Sequence, residues 1–201
     1  MTRRAILFRR IGIILTVALI LEVGAYIVIK RADDSRSTLP VLGKVPSFAL
    51  QSQDGKPFDR NNLLNKINVV DFIFTRCQGP CPIMSDHMTD LYKLYANSDK
   101  VQFVSISVDP DYDSIGVLQD YAVSHGVTDG RWKFLTGPLD SIKALSENGF
   151  MLAADDLPAS HSTKFVLVDG SGDIRAYYDG TEQASMNILK TNINELVKQL
   201  K

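Results

Sequence analysis

Cysteine, tryptophan and histidine are scarce in this chain of 201 residues, which has two, one and three of them respectively. The two cysteines, Cys77 and Cys81, stand only four positions apart. So local a pair cannot form the disulfide framework of a small secreted domain and points instead to a site. No internal repeat is visible, and a surplus of positive charge is missing as well. The net charge is -1, but residues 1–44 carry eight Lys or Arg against three acids, while residues 45–201 carry fourteen against twenty. The larger part of the chain is therefore acidic. It would repel a phosphate backbone and offers no counterion release, so no nucleic-acid partner is expected. An apolar content of 45% with 22% charged residues argues against disorder, and the length suits one globular core.

Only one long hydrophobic run is present, from Ile11 to Ile29, broken by Glu22 alone. Arg3, Arg4, Arg9 and Arg10 precede it, and Lys30 and Arg31 follow. Nineteen helical residues rise about 28 Å, close to the roughly 30 Å hydrocarbon core of a bilayer. Two other readings compete: a cleaved signal peptide with Val23-Gly24-Ala25 as its small-residue site, and a buried amphipathic helix with Glu22 at its polar edge. Apolar residues continue past the small-residue site, and no cysteine adjoins it to carry a lipid, so a retained single-pass anchor is expected. The basic residues weakly favour an inside N-terminus and an outward head. Residues 32–44 are polar and read as a tether. The expected organisation is an anchor at 1–31, a tether at 32–44 and a folded head at 45–201. With no long Arg-rich, acid-poor presequence ahead of the span, a bacterial cytoplasmic membrane with the head on its outer side is expected.

Within the head, strands alternate with helices. Pro46–Leu50 and the turn at Asp54-Gly55 read as an opening hairpin, and Ile67–Phe74 as a strand covered on both faces. A helix is expected from Pro82 to about Ala96, a strand over Val101–Val108, and a helix from Asp113 or Ser114 to His125. Then follow a short strand at Trp132–Leu135, a helix at Asp140–Asn148, strands at Lys164–Val168 and Ile174–Tyr178, and a last helix at about Gln183–Leu200. The order is βαβα then ββα. It resembles a thioredoxin-like α/β fold with an N-terminal hairpin and an insertion, the cysteines lying at the carboxyl end of the first buried strand.

At a helix N-terminus, backbone N–H groups and the helix dipole favour a thiolate over a thiol. Thiolates attack disulfides or bind soft metals, and the pair alone does not choose between these roles. The thioredoxin resemblance implies that the loop before strand Lys164–Val168 faces the cysteines, with Ser162 in the place of the usual proline and His161 just ahead of it. Two thiolates and one imidazole suit three-coordinate Cu(I), and a fourth oxygen or water would accommodate Cu(II), whereas structural zinc usually takes four protein ligands. The same resemblance makes Asp71, six residues before Cys77, a candidate proton relay for a redox pair formed by Cys77 and Cys81. A buried structural acid explains it equally well. A peroxidase would place its threonine three residues before the cysteine, whereas Thr75 is two before Cys77. His87 and His125 are expected to be solvated, and Met84 and Met88 to be core residues. Asp109, Asp111 and Asp113 are expected to form an acidic rim or to cap a helix.

Three ordered motifs carry a more specific resemblance. Phe74-Thr75-Arg76-Cys77-Gln78-Gly79-Pro80-Cys81-Pro82, Ser105-Ile106-Ser107-Val108-Asp109-Pro110, and His161-Ser162 with the hairpin through Tyr178-Asp179-Gly180 resemble the signatures of the Sco/SenC copper chaperones. Gln78-Gly79 stands where that family has Pro-Asp, and Ser160 where an acid often precedes the histidine. The resemblance implies that Cys77, Cys81 and His161 are copper ligands. It implies as partner the copper-bearing subunit of cytochrome c oxidase, with other copper chaperones or thioredoxin-like reductants as further partners. It also implies a thiol-disulfide redox role.

Overall fold

In the computed structural model of the chain, residues 13–27, 39–159 and 161–200 are described. They belong to two units, one ending at Thr38 and the other beginning at Leu39. In the first, residues 13–27 form helix α1, and its large side chains, from Ile13 to Ile27, are exposed. Among the described residues no helix is long and apolar enough to cross a membrane. Both ends of the span expected over Ile11–Ile29, and the tether up to residue 38, lie outside the described residues.

The second unit is built on one eight-stranded sheet in the order β1-β8-β7-β4-β5-β6-β2-β3. The strands are β1 (Gly43–Lys44), β2 (Ala49–Ser52), β3 (Pro57–Asp59), β4 (Ile67–Ile73), β5 (Val101–Ser107), β6 (Trp132–Thr136), β7 (Lys164–Val168) and β8 (Asp173–Asp179). The helices are α2 (Cys81–Leu94), α3 (Ile115–Ser124), α4 (Leu139–Ala144) and α5 (Gln183–Gln199). At the centre, β4 runs parallel to β5 and β5 to β6, while β7 is antiparallel to β4 and β8 to β7. This mixed α/β architecture has the expected order of elements.

All seven residues of β4, Ile-Asn-Val-Val-Asp-Phe-Ile, are buried, as are all seven of β5. A strand covered on both faces has no use for polar/apolar alternation, which is why both read as near-continuous apolar runs. Val69 and Ile73 point into a core with Met84, Met88 and Leu91 of α2, Leu118 of α3 and Leu189 and Ile193 of α5. Val70 and Phe72 point the other way, toward Leu135, Ile142, Leu145 and Phe150. Successive side chains alternate faces, so Asp71 shares the α2 face with Val69 and Ile73. Asn68 is equally buried, but it donates to the carbonyls of Leu63 and Lys66 and accepts from Gln102 Nε2. Its polar atoms are matched.

Two boundaries differ from expectation. The helix expected over Asp140–Asn148 is α4 followed by a π-helical turn at Leu145–Gly149. Residues 39–44, read as the end of the tether, lie inside the second unit, where Gly43 and Lys44 pair with β8. Leu42 N donates to Ile174 O at 2.8 Å, and the Arg175 guanidinium donates to the carbonyls of Leu39 and Pro40. Arg175 also meets Asp169 at 2.6 Å, both side chains being 12% exposed. A two-residue strand held by a distant arginine has no periodicity to betray it, so composition alone read the segment as linker.

Phe72 is 1% exposed and meets the Phe150 ring edge-on at 5.6 Å between centroids. Phe72→Ala should lower unfolding free energy by about 3–5 kcal/mol, read as a fall in the urea midpoint with an unchanged slope.

Candidate metal centre

The site forms where β4 ends. Beyond Ile73 the chain turns through Phe74–Pro80, and Cys77 N donates back to Phe74 O at 3.2 Å. α2 then starts at Cys81 with Pro80 as N-cap and Pro82 in its first turn, where a missing N–H costs nothing. Cys81 is buried, Cys77 is half-buried, and both sulfurs are free. Gly79 N donates to Cys77 Sγ at 3.4 Å.

The loop holding Cys77 is pinned by two acids that follow β5. Asp113, fully buried, accepts from Thr75 N at 3.1 Å, from Thr75 Oγ1 at 2.5 Å and from Ser107 Oγ at 2.6 Å. Asp109 pairs with Arg76 at 2.7 Å, and the Arg76 guanidinium lies 4.8 Å from the centre of the Tyr112 ring. Neither acid caps α3. Ser114 does, accepting from Val117 N. The sequence singled out Asp109 and Asp113 without their partners, since nothing local tells a cap from a buried hub.

His161 enters from the other direction. In the antiparallel β4–β7 register, Asn68 faces Val168 and Val70 faces Val166. Continued past the paired residues, this register sets Phe74 opposite Ser162, so the imidazole arrives beside the cysteine loop. His161 Nε2 lies 3.3 Å from Cys81 Sγ, and the ring packs edge-on against Phe74 at 5.5 Å. The ligand atoms of Cys77, Cys81 and His161 all lie within 4.8 Å of one another. Nδ1 of His161 is 3.1 Å from Ser162 O. A carbonyl only accepts, so Nδ1 carries the hydrogen and Nε2 turns a lone pair toward the sulfur. Ser160 lies outside the described residues.

Burial governs the protonation of these groups. It lowers the His161 pKa below its ordinary value, which keeps the ring neutral and able to ligate. The Cys81 thiol is pushed up to about 12, chiefly by burial and also by Cys77 and Asp71 nearby. At Cys81 burial thus favours the thiol, where the position at a helix N-terminus led to the expectation of a thiolate. A metal must therefore displace a proton from Cys81.

Asp71 is 1% exposed, and neither of its carboxylate oxygens has a hydrogen-bond partner among the described residues. Burial pushes its pKa up to about 7. Met84 and Met88 are core residues, as expected. The two other histidines are half-buried and partnered rather than free in solvent: His87 Nδ1 bonds Gly180 O at 2.8 Å, and His125 meets Thr89 and lies tilted against the Tyr121 ring at 4.6 Å.

The sequence pattern of the SCO1/SenC family matches residues 40–198, most of the chain. The chain belongs to the SCO1/SenC family. The SCO1 protein homolog of Bacillus subtilis (strain 168) is 34% identical over 153 residues, 71% of this chain and 77% of that protein. The structure of BsSco, described as a member of the Sco family of cytochrome c oxidase assembly proteins, superposes with a TM-score of 0.72 at 30% identity, covering 81% of this chain and 99% of that one. Yeast Sco1 with copper bound gives a TM-score of 0.58 at 25% identity, covering 75% and 88%. The SCO1/SenC match thus takes in the whole sheet and the positions of Cys77, Cys81 and His161.

The orphaned carboxylate makes a pH prediction. In the folded state Asp71 holds its proton to about 7, against an ordinary value of 3.8. The unfolded chain therefore binds fewer protons than the folded one between these values, and stability falls as pH rises from about 4 to about 7. The full effect is about 4 kcal/mol, at about 1.4 kcal/mol per tenfold change in proton affinity. Asp71→Asn should flatten this part of the stability curve in urea unfolding at pH 4 to 8. An unchanged slope would show that the carboxyl is ionised at no cost.

Proposed function

We propose that this SCO1/SenC protein carries one copper ion as cargo, ligated by Cys77 Sγ, Cys81 Sγ and His161 Nε2, and hands it to the copper-bearing subunit of cytochrome c oxidase. The observation that carries the reading is the convergence of three ligand atoms: His161 Nε2 lies 3.3 Å from Cys81 Sγ, and the ligand atoms of Cys77, Cys81 and His161 all lie within 4.8 Å of one another. Two sulfurs and one imidazole, with no fourth His, Cys, Asp or Glu in the cluster among the described residues, fit monovalent copper better than zinc. The copper-bound yeast relative and the oxidase-assembly description of BsSco support the cargo and the client. Cys77, the more accessible thiol, is the point of entry and release. Cys81 and His161 supply the buried half of the site, and the Cys81 proton leaves as the ion arrives.

A second role uses the same sulfurs. With both thiols free, Cys77 attacks a partner disulfide and Cys81 then displaces the partner from the mixed disulfide. Two electrons and two protons pass to the partner's thiols, and a disulfide is left here. Asp71, buried without a hydrogen-bond partner among the described residues, accepts the Cys81 proton in this exchange once it is ionised, above about pH 7. Thioredoxin-like reductants would regenerate the pair, and other copper chaperones would reload it. Residues 1–31 anchor the chain by a single span, and residues 32–38 lead from it to the second unit, which begins at Leu39. The head then works on the outer side of a bacterial cytoplasmic membrane. The run of exposed apolar residues along α1 supports such an anchor.

Anaerobic Cu(I) titration of the reduced protein against a competing chelator tests the copper reading. One ion per chain is expected, and His161→Ala should weaken binding at least about a hundredfold, or about 2.8 kcal/mol. His161→Ala should leave the rate of disulfide reduction largely intact. Wild-type affinity in His161→Ala would leave only the oxidoreductase.

A further inference from the structure

One polar connection outside the donors joins the helix that begins with Cys81 to the loop that holds His161. His87 lies six residues into α2 after Cys81, and its Nδ1 is 2.8 Å from Gly180 O. The carbonyl only accepts, so Nδ1 carries the hydrogen. Gly180 N donates in turn to Thr163 O at 2.8 Å, and Thr163 is two residues from His161. Gly180 is buried, and this chain of contacts occupies both of its backbone polar groups.

The turn has little slack. A Cβ on Gly180 would lie 2.8 Å from Thr163 O and 3.1 Å from both Met84 Cγ and Phe165 Cε1, so the residue is wedged between α2 and the start of β7. The turn is also stiffened from within and from β7. Asp179 accepts from Thr181 N at 3.0 Å, from Thr181 Oγ1 at 2.6 Å and from Lys164 Nζ at 2.9 Å. Met84, Met88 and Leu91 seat α2 in the core independently of His87.

We propose that His87 is a positioning residue for the metal centre: by holding the Gly180 carbonyl it fixes α2 against the His161 loop and so sets the separation of Cys81 Sγ from His161 Nε2. The role is that of a group beyond the ligands that orients them, where substitution typically weakens metal binding about 10- to 100-fold. The inference rests on the copper reading above and adds to it a residue that touches no metal.

The test compares Cu(I) affinity by chelator competition in the full chain carrying His87→Leu or His87→Asn, alone and with His161→Ala, together with the His161 ring nitrogen resonances of the metal-free reduced protein. Leucine keeps the bulk and removes the donor, whereas asparagine restores an N–H near the Nδ1 position. His87→Leu should cost about tenfold in affinity and shift the His161 ring signals, and His87→Asn should recover most of both. With His161 already replaced by alanine, His87→Leu should cost nothing further. The idea is overturned by wild-type affinity in His87→Leu, by no recovery in His87→Asn, or by an equal loss in the His161→Ala background. It is overturned as well, without any variant having to fold, if His87 in the wild-type protein carries its proton on Nε2. If the wild-type chain takes up no copper, the copper reading fails by itself, and the His161 signals in the metal-free variants still decide the role of His87.

Discussion

The antiparallel pairing of β4 with β7 is the constraint from which the site follows. β4 delivers Cys77 and Cys81 at its carboxyl end, and β7, running the opposite way, begins at that end and brings His161 from 80 residues downstream. A slip of one residue would turn the β7 side chains to the wrong faces and carry the imidazole out of reach. Such a slip is expensive here, because Phe165 and Leu167 fill one core while Val166 and Val168 fill the other. Packing on both faces of the sheet thus sets the donor geometry before any ion is present.

The same burial decides the protonation of the three groups while no ion is bound. A protonated Cys81 and a neutral His161 are far cheaper to enclose than a thiolate and an imidazolium. The neutral form is therefore the resting form, and the charge needed for ligation appears as the proton leaves. Asp71 follows the same rule on the α2 face. In the same strand, Asn68 keeps every polar atom matched, so the unmatched carboxylate is not a general feature of β4.

The sequence reveals the parts of the fold that rest on local pattern. β4 and β5 are apolar runs bounded by turns, α2 is signalled by the prolines around Cys81, and the first and third motifs contain Cys77, Cys81 and His161. Features held by distant partners are not visible in this way. The Arg175 contacts that draw residues 39 and 40 into the fold cross more than 130 positions. The His87 link to Gly180 spans 93 positions, and a histidine beside Asp86 on a helix reads as solvated whenever its partner is that remote. Asp113 and Ser114 are both good caps, and only tertiary structure assigns one to α3 and the other to the cysteine loop. The thiol of Cys81 is hidden for a related reason: the helix N-terminus is written in the sequence, but the depth of burial that raises its pKa is not.

The central claim is that two sulfurs and one imidazole meet at a single ion. X-ray absorption at the copper edge of the Cu(I)-loaded full chain reads this set of neighbours directly. The account requires two sulfur scatterers and one imidazole, with the imidazole signature lost in His161→Ala. A spectrum with a single sulfur, or with an imidazole that survives that substitution, would contradict it.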